Sequence, residues 1–442
     1  MLSRFQNWLF TPVDNAGLVA FRVLYGLILA AEAFGALATG WVTKIFVKTE
    51  FTIGFIDFQW LADLLHGPIM YLYYAILGVL GLMIAFGYKY RLATLGFFVM
   101  WWAVYLSQKS HYNNHYYLMV VLTGLMFFID CNRFFSIDSK QGKVEKSNQS
   151  PRWNYFIIIA LLLIVYTYAS INKIYPDWLE GRTIPFWFKD KADYLIIGPV
   201  LQNETVQWCV IYGGILFDGL IIPALIWKRT RWLAVAASIF FHIFNSIVFQ
   251  IGVFPYMMIA TLVLFLRPED IRKRIFKKSE AGIKPRDFSV NKPVFWTIMV
   301  FLLINIILPV RHHFIKGDVF YTEEGHRMSW RMMLRSKRGN GRLKIVDLKT
   351  NKDIIYPIKN HLRPHQYKAL ITQPDMVYSM VQKMKTHLAK DGYDSVAIYW
   401  GVTMSLNRGS FHEIIPDTVN LAKVEWNHFR HNEWILSPPK KP

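Results

Sequence analysis

Ala169-Ser170-Ile171-Asn172-Lys173-Ile174-Tyr175-Pro176-Asp177-Trp178 closes an apolar run that begins at Trp153 and is long enough to cross a bilayer. A lysine therefore sits where a membrane helix ends, followed by a proline stop and a tryptophan suited to the interface. Two readings of Lys173 follow. It snorkels, carrying its charge up to the headgroups, or it is a partly desolvated amine able to act as a base. The choice rests on which other side chains come to the same place.

The 442 residues are 53% hydrophobic and rich in Phe, Trp and Tyr, which points to a polytopic membrane protein. The formal charge of +20 does not call for nucleic acid, because many Lys and Arg lie in short loops between apolar runs, where they set orientation. The start, MLSRFQNWLFTPVDN, has no apolar core followed by a small-residue cleavage site, so no cleavable signal peptide is expected. Cys131 and Cys209 offer neither a disulfide framework nor a zinc site, and are expected near opposite faces, unpaired.

Apolar runs fall at about 14–39, 68–87, 90–108, 113–130, 153–172, 205–227, 231–250, 253–266 and 293–309. The first contains Arg22 and Glu32, the sixth Asp218, and the seventh His242 and Asn245. The aromatic-rich connections 40–67 and 174–204 are expected to pack on the helices, since irregular backbone cannot face lipid. Alternating nine spans collects about 20 Lys and Arg on one side against about 7 in the connections opposite, which makes the N-terminus cytoplasmic. Lys173, the SHYNNHYY turn, the Ile251-Gly252 turn and everything after Arg311 then lie outside. From Arg311 the composition becomes that of a soluble module. RMSWRMMLRS, GRLKIVDLKT, DIIYPI and DSVAIYWGVTMSL read as strands, and HQYKALITQPDMVYSMVQKMKTHLAK contains an amphipathic helix broken early by Pro374. The expected fold is a polytopic α-helical membrane protein of about nine transmembrane helices (1–310), with a small C-terminal extracytoplasmic α+β domain (311–442).

Polar residues converge at the outer face. Asn113, Asn114 and His115 begin the fourth span, Lys173 ends the fifth, and His242 and Asn245 share one helix face in the seventh. Each has a plain structural explanation: His115 caps a helix start, and His242 meets a carbonyl or bridges to Asp218. No HExxH, paired cysteines or carboxylate–histidine spacing favours a metal, and no Gly-rich phosphate cradle or GxSxG turn is present. Proton chemistry on a hydrophobic ligand reached from lipid remains.

WNYF…YASINKIYPDWLEG, SHYNNHYYL, FFHIFNSIVFQIGVFPYMM and MSWRMML resemble the vitamin K-dependent gamma-carboxylase family, whose membrane portion is also called the HTTM domain. The resemblance runs from PVDNAGLVAFRVLYG to about Trp434. It implies that Lys173 is the base that deprotonates reduced vitamin K, a phylloquinone or menaquinone hydroquinone. Oxidation of that quinol by O2 to its 2,3-epoxide would generate a base strong enough to take a glutamyl γ-proton, and the carbanion would capture CO2. No side-chain base reaches so weak an acid, so the oxidation must supply the driving force in a water-excluded site. By the same resemblance Asn114 and His115 polarise the quinone oxygens and His242 completes the pocket, to which Asn113 and Asn245 are added. Ile251, Phe254 and Trp330 lie on the glutamate-binding side. Arg335 and Lys337 stand where the family has a His and an Arg that help to hold the glutamate, His326 where it has a tyrosine, and Asn172 where animal enzymes carry a second lysine.

Three functions are therefore carried forward: carboxylation coupled to epoxidation, epoxidation alone, and non-catalytic binding of a lipid-like ligand. The expected partners are a glutamate-containing protein or peptide and the bilayer, with no nucleic acid and no metal. The expected place is a bacterial inner membrane, with the active site outside.

Overall fold

The computed structural model describes residues 2–276, 286–332 and 334–438. Part of the basic loop expected on the cytoplasmic side lies outside these residues. The helices that matter for the site are α1 (Ala16–Ala38), α2 (Ile69–Phe86), α3 (Tyr90–Ser107), α4 (Asn114–Phe128), α5 (Trp153–Ile171), α6 (Glu204–Ile226), α7 (Arg231–Phe249), α8 (Phe254–Thr261) and α9 (Lys292–Val310).

Each apolar run of the sequence forms a helix, but the expected nine crossings are not all supported. Six segments are long and apolar enough to cross a membrane: α1, α2, α5, α6, α7 and the stretch Lys292–Phe314 that contains α9. α4 has 15 residues, a length of about 22 Å against a hydrocarbon core of about 30 Å. α8 is shorter still, and a 3₁₀ turn carries it only to Phe265. α3 has the length, but Arg91, Thr94 and its Tyr and Trp residues dilute its apolar character. The chain is a multi-pass membrane protein, and six segments meet both the length and the composition needed to cross among the described residues.

Local chemistry sets the helix ends. Asn113, Asn203 and Asn291 accept hydrogen bonds from the third residue onward and so cap α4, α6 and α9. α7 stops because Gln250 and Gly252 both take left-handed backbone, with φ of 51° and 66°, and Pro255 then starts α8. α1 and α2 pack backbone to backbone: a Cβ added to Gly81 would stand 2.6 Å from the Ala30 amide nitrogen. The charges inside α1 have hydrogen-bond partners, although Arg22 Nε has none among the described residues. Arg22 donates to the Cys131 and Phe135 carbonyls at 3.0 and 2.6 Å, and Glu32 accepts from the Tyr116 hydroxyl at 2.7 Å. Cys131 is buried, Cys209 is exposed, and neither forms a disulfide.

The connection between α5 and α6 folds as short helical turns, burying Trp178, Ile184, Phe188 and Leu201 against Ile211 and Val248. Beyond α9 lies an antiparallel sheet formed by β1 (Lys337–Asp347), β2 (Lys352–Ile354), β3 (Val396–Leu406) and β4 (Phe411–Ile415), in the order β2-β1-β3-β4. The helix α10 (Pro374–Lys390) lays Met376, Val377, Met380, Val381 and Met384 against Ile398, Trp400 and Val402 of the sheet. Pro374 opens α10, after the separate turn Pro364–Leu370.

One expected strand is absent. RMSWRMMLRS is irregular, because Met328 and Trp330 take left-handed backbone with φ of 59° and 55°, and Trp330 is buried 4.8 Å from the Tyr117 ring. Met333 of that stretch lies outside the described residues. Phe411–Ile415 is a strand that the sequence reading left out.

Candidate functional site

A cavity of about 530 Å³ opens where α4, α5, α6, α7 and α8 meet the segment 323–337. At its membrane end Lys173 follows the last turn of α5, with 9% of its surface exposed. Its ammonium donates to the Ala169 carbonyl at 3.2 Å and forms an ion pair with the Asp218 carboxylate of α6. The Trp178 ring lies 5.7 Å from the same nitrogen. Asp218 therefore pairs with Lys173 and not with His242, to which the sequence alone allowed it to be joined. His242 instead shares a hydrogen bond with the Tyr166 hydroxyl through Nε2, at 2.9 Å. Its Nδ1 is buried with no partner among the described residues. Asn245, one turn along, lines the same wall, and His115 lies 6.0 Å from the Phe254 ring.

Two of the three polar residues at the start of α4 are committed to local structure. Asn113 caps the helix through Tyr116 N and donates to the His111 carbonyl at 3.3 Å. Asn114 accepts from the Tyr112 hydroxyl and donates to the Arg331 carbonyl, both at 3.0 Å. Both still line the cavity, as do Ile251 and Phe254. Trp330 does not; its ring belongs to the helical core.

The opposite end is cationic. Arg335 and Lys337 both contact the Glu323 carboxylate, and Lys337 also reaches the Thr372 carbonyl at 3.2 Å. Burial alone would raise the Glu323 carboxyl; Arg335 and then Lys337 outweigh it and hold the group well below the ordinary carboxylate range. Burial pushes the Lys337 ammonium down to about 8, against the opposing pull of Glu323. Burial, reinforced by Arg335, drives the His326 imidazole well below its usual value, so this histidine is neutral. Arg331 and Lys368 add two further cations to the lining.

Sequence reasoning missed Asp218 as the partner of Lys173, Tyr166 as the partner of His242, and Glu323 between Arg335 and Lys337. For Asp218 a signal existed. An acid within a membrane span needs a cation or a donor, and Lys173 closes the neighbouring helix. Glu323 lies in an irregular segment whose path no periodicity reveals.

The arrangement suits a hydrophobic ligand with a polar head. Val165, Phe241, Phe249 and Met258 supply apolar walls and Asn245 a polar contact. No solved structure matches the chain. Two family models do: the HTTM domain over residues 10–269 and the vitamin K-dependent gamma-carboxylase lumenal domain over residues 290–441. The first alone covers more than half of the sequence and the second follows it in order, so the chain belongs to the vitamin K-dependent gamma-carboxylase family.

Proposed function

We propose that this membrane protein is a γ-glutamyl carboxylase that couples oxidation of reduced vitamin K by O2 to addition of CO2 at the γ-carbon of peptide-bound glutamate. The observation that carries the reading is a single cavity with the buried Lys173–Asp218 pair at one end and the cations around Glu323 at the other. Bound reduced vitamin K would supply, on oxidation to its epoxide, the strong base that no side chain provides.

The chain's own residues hold and move protons. Transfer of one proton from Lys173 Nζ to Asp218 leaves a neutral amine beside a carboxylic acid, with the net charge of the pair unchanged. In a dry pocket this neutral form avoids desolvating two ions. The amine then accepts a proton from a ligand hydroxyl and stabilises the resulting oxyanion as an ammonium. His242, His115 and Asn245 orient the ring, and Asn114 and Asn113 fix the start of α4 beside it. Ile251 and Phe254 form the mouth toward the glutamyl side chain, which the positive end of the cavity attracts. The helical part carries the quinone and the sheet part covers it from outside, with the N-terminus in the cytoplasm.

A second reading, oxidation without carboxylation, is favoured by one fact: Arg335 and Lys337 already share the carboxylate of Glu323. The test incubates purified protein with reduced vitamin K, O2, labelled bicarbonate and a glutamate-rich peptide, measuring epoxide and fixed label separately. Both products support the carboxylase. Epoxide alone supports the second reading, and neither product from folded protein rejects both.

A further inference from the structure

The buried cations of the cavity are not equivalent. Lys173 contacts Asp218, and Arg335 and Lys337 contact Glu323. Arg331, 8% exposed, forms no ion pair among the described residues. Both of its side-chain hydrogen bonds use Nη1: one to Asn172 Oδ1 at 3.0 Å, the other to His312 Nε2 at 3.2 Å. His312 receives it as a neutral acceptor, because its Nδ1 sits 2.9 Å from the Pro309 carbonyl. The guanidinium lies over the Phe320 ring, 4.4 Å from its centroid, and its Nε is buried with no partner among the described residues. Burial, with Arg335 second, pushes the group down to about 10, which leaves it charged at neutral pH.

We propose that Arg331 is the carboxylate-binding residue of this cavity and receives the γ-carboxylate of a glutamyl side chain on Nη2, the guanidinium nitrogen that is neither hydrogen-bonded among the described residues nor closed off by them. Phe320 and the Nη1 bonds fix the plane of the fork, and the bond to Asn172 ties it to the residue next to Lys173. Glu323 keeps Arg335 and Lys337 occupied, so these two shape and charge the wall while Arg331 holds the ligand. A buried guanidinium without a contacting counter-ion is costly; Asp318 and Glu323 act on Arg331 without contacting it, and the ligand supplies the contact. Only the identity of the carboxylate rests on the carboxylase reading.

The test uses the full chain in detergent without quinone. Binding of a short peptide with one glutamate is compared with that of its glutamine analogue by calorimetry. The wild type is expected to prefer the glutamate peptide by at least about tenfold. Arg331→Gln abolishes the preference, Arg331→Lys retains only part of it, and Lys349→Met, which removes an exposed charge outside the cavity, keeps it; thermal unfolding confirms that each variant is folded. A preference that is absent in the wild type or survives Arg331→Gln overturns the assignment. A preference that behaves as expected in a protein forming neither epoxide nor fixed label leaves the carboxylate site standing and removes the carboxylase.

Discussion

Lys173 and Asp218 form an ion pair within the cavity, joining the end of α5 to the middle of α6. Removing one member of a buried pair costs about 3–5 kcal/mol, whereas replacing both by apolar residues is often neutral. Asp218→Leu is therefore expected to lower thermal stability sharply, and Lys173→Met combined with Asp218→Leu to recover most of it without activity. Asp218→Asn, which keeps the shape but not the charge, should slow epoxide formation about a hundredfold. An Asp218→Asn enzyme as fast as the wild type would remove the carboxylate from the proton path.

In the proposed function Tyr166 and His242, which share a hydrogen bond, lie on the quinone side. Tyr166→Phe strips the partner from a buried imidazole nitrogen, at a cost of about 1–3 kcal/mol. The expected result is a raised KM for reduced vitamin K with an unchanged KM for the peptide. The opposite pattern would place His242 on the peptide side.

The peptide side of the proposed function should carry a pH signature. Lys337 faces Glu323, Arg335, Asp375 and the Thr372 carbonyl, and burial holds its ammonium down to about 8. It is charged below that pH and neutral above it, so the cavity loses one positive charge as the pH rises through 8. Peptide KM should climb over that interval, and Lys337→Arg should move the climb upward by more than one pH unit. A profile identical in the two proteins would show that Lys337 does not contribute to binding.

Sidedness is open to direct labelling. In a Cys209→Ser background, Lys189→Cys is expected to react with an impermeant thiol reagent added outside intact cells, and Lys143→Cys only after permeabilisation. The reverse pattern inverts the topology and moves the active site to the cytoplasm.

The helices were legible because an apolar run of about 20 residues has few other fates, and the turn after α7 because Gln250-Ile251-Gly252 breaks such a run. Crossing number was less so, since α4 and α8 are apolar but short. RMSWRMMLRS reads as a strand, yet tertiary contacts decide it: Trp330 sinks against Tyr117, and Asn172 donates to the Ser329 carbonyl at 3.3 Å. Lys173, His242 and Asn245 stood out as polar residues in apolar surroundings, and the structure brings them to one cavity. Their partners did not stand out, because pairing depends on how helices face one another. Asp218 is 45 positions from Lys173, and the helical repeat leaves it equally free to meet His242.

The central claim is that Lys173 is the base of the quinone site, and epoxide formation by Lys173→Ala as a function of pH tests it most directly. The account predicts a loss of at least about a hundredfold near neutral pH, narrowing as alkali ionises the quinol without help from the protein. Folded Lys173→Ala protein that forms epoxide at the wild-type rate near neutral pH would contradict it.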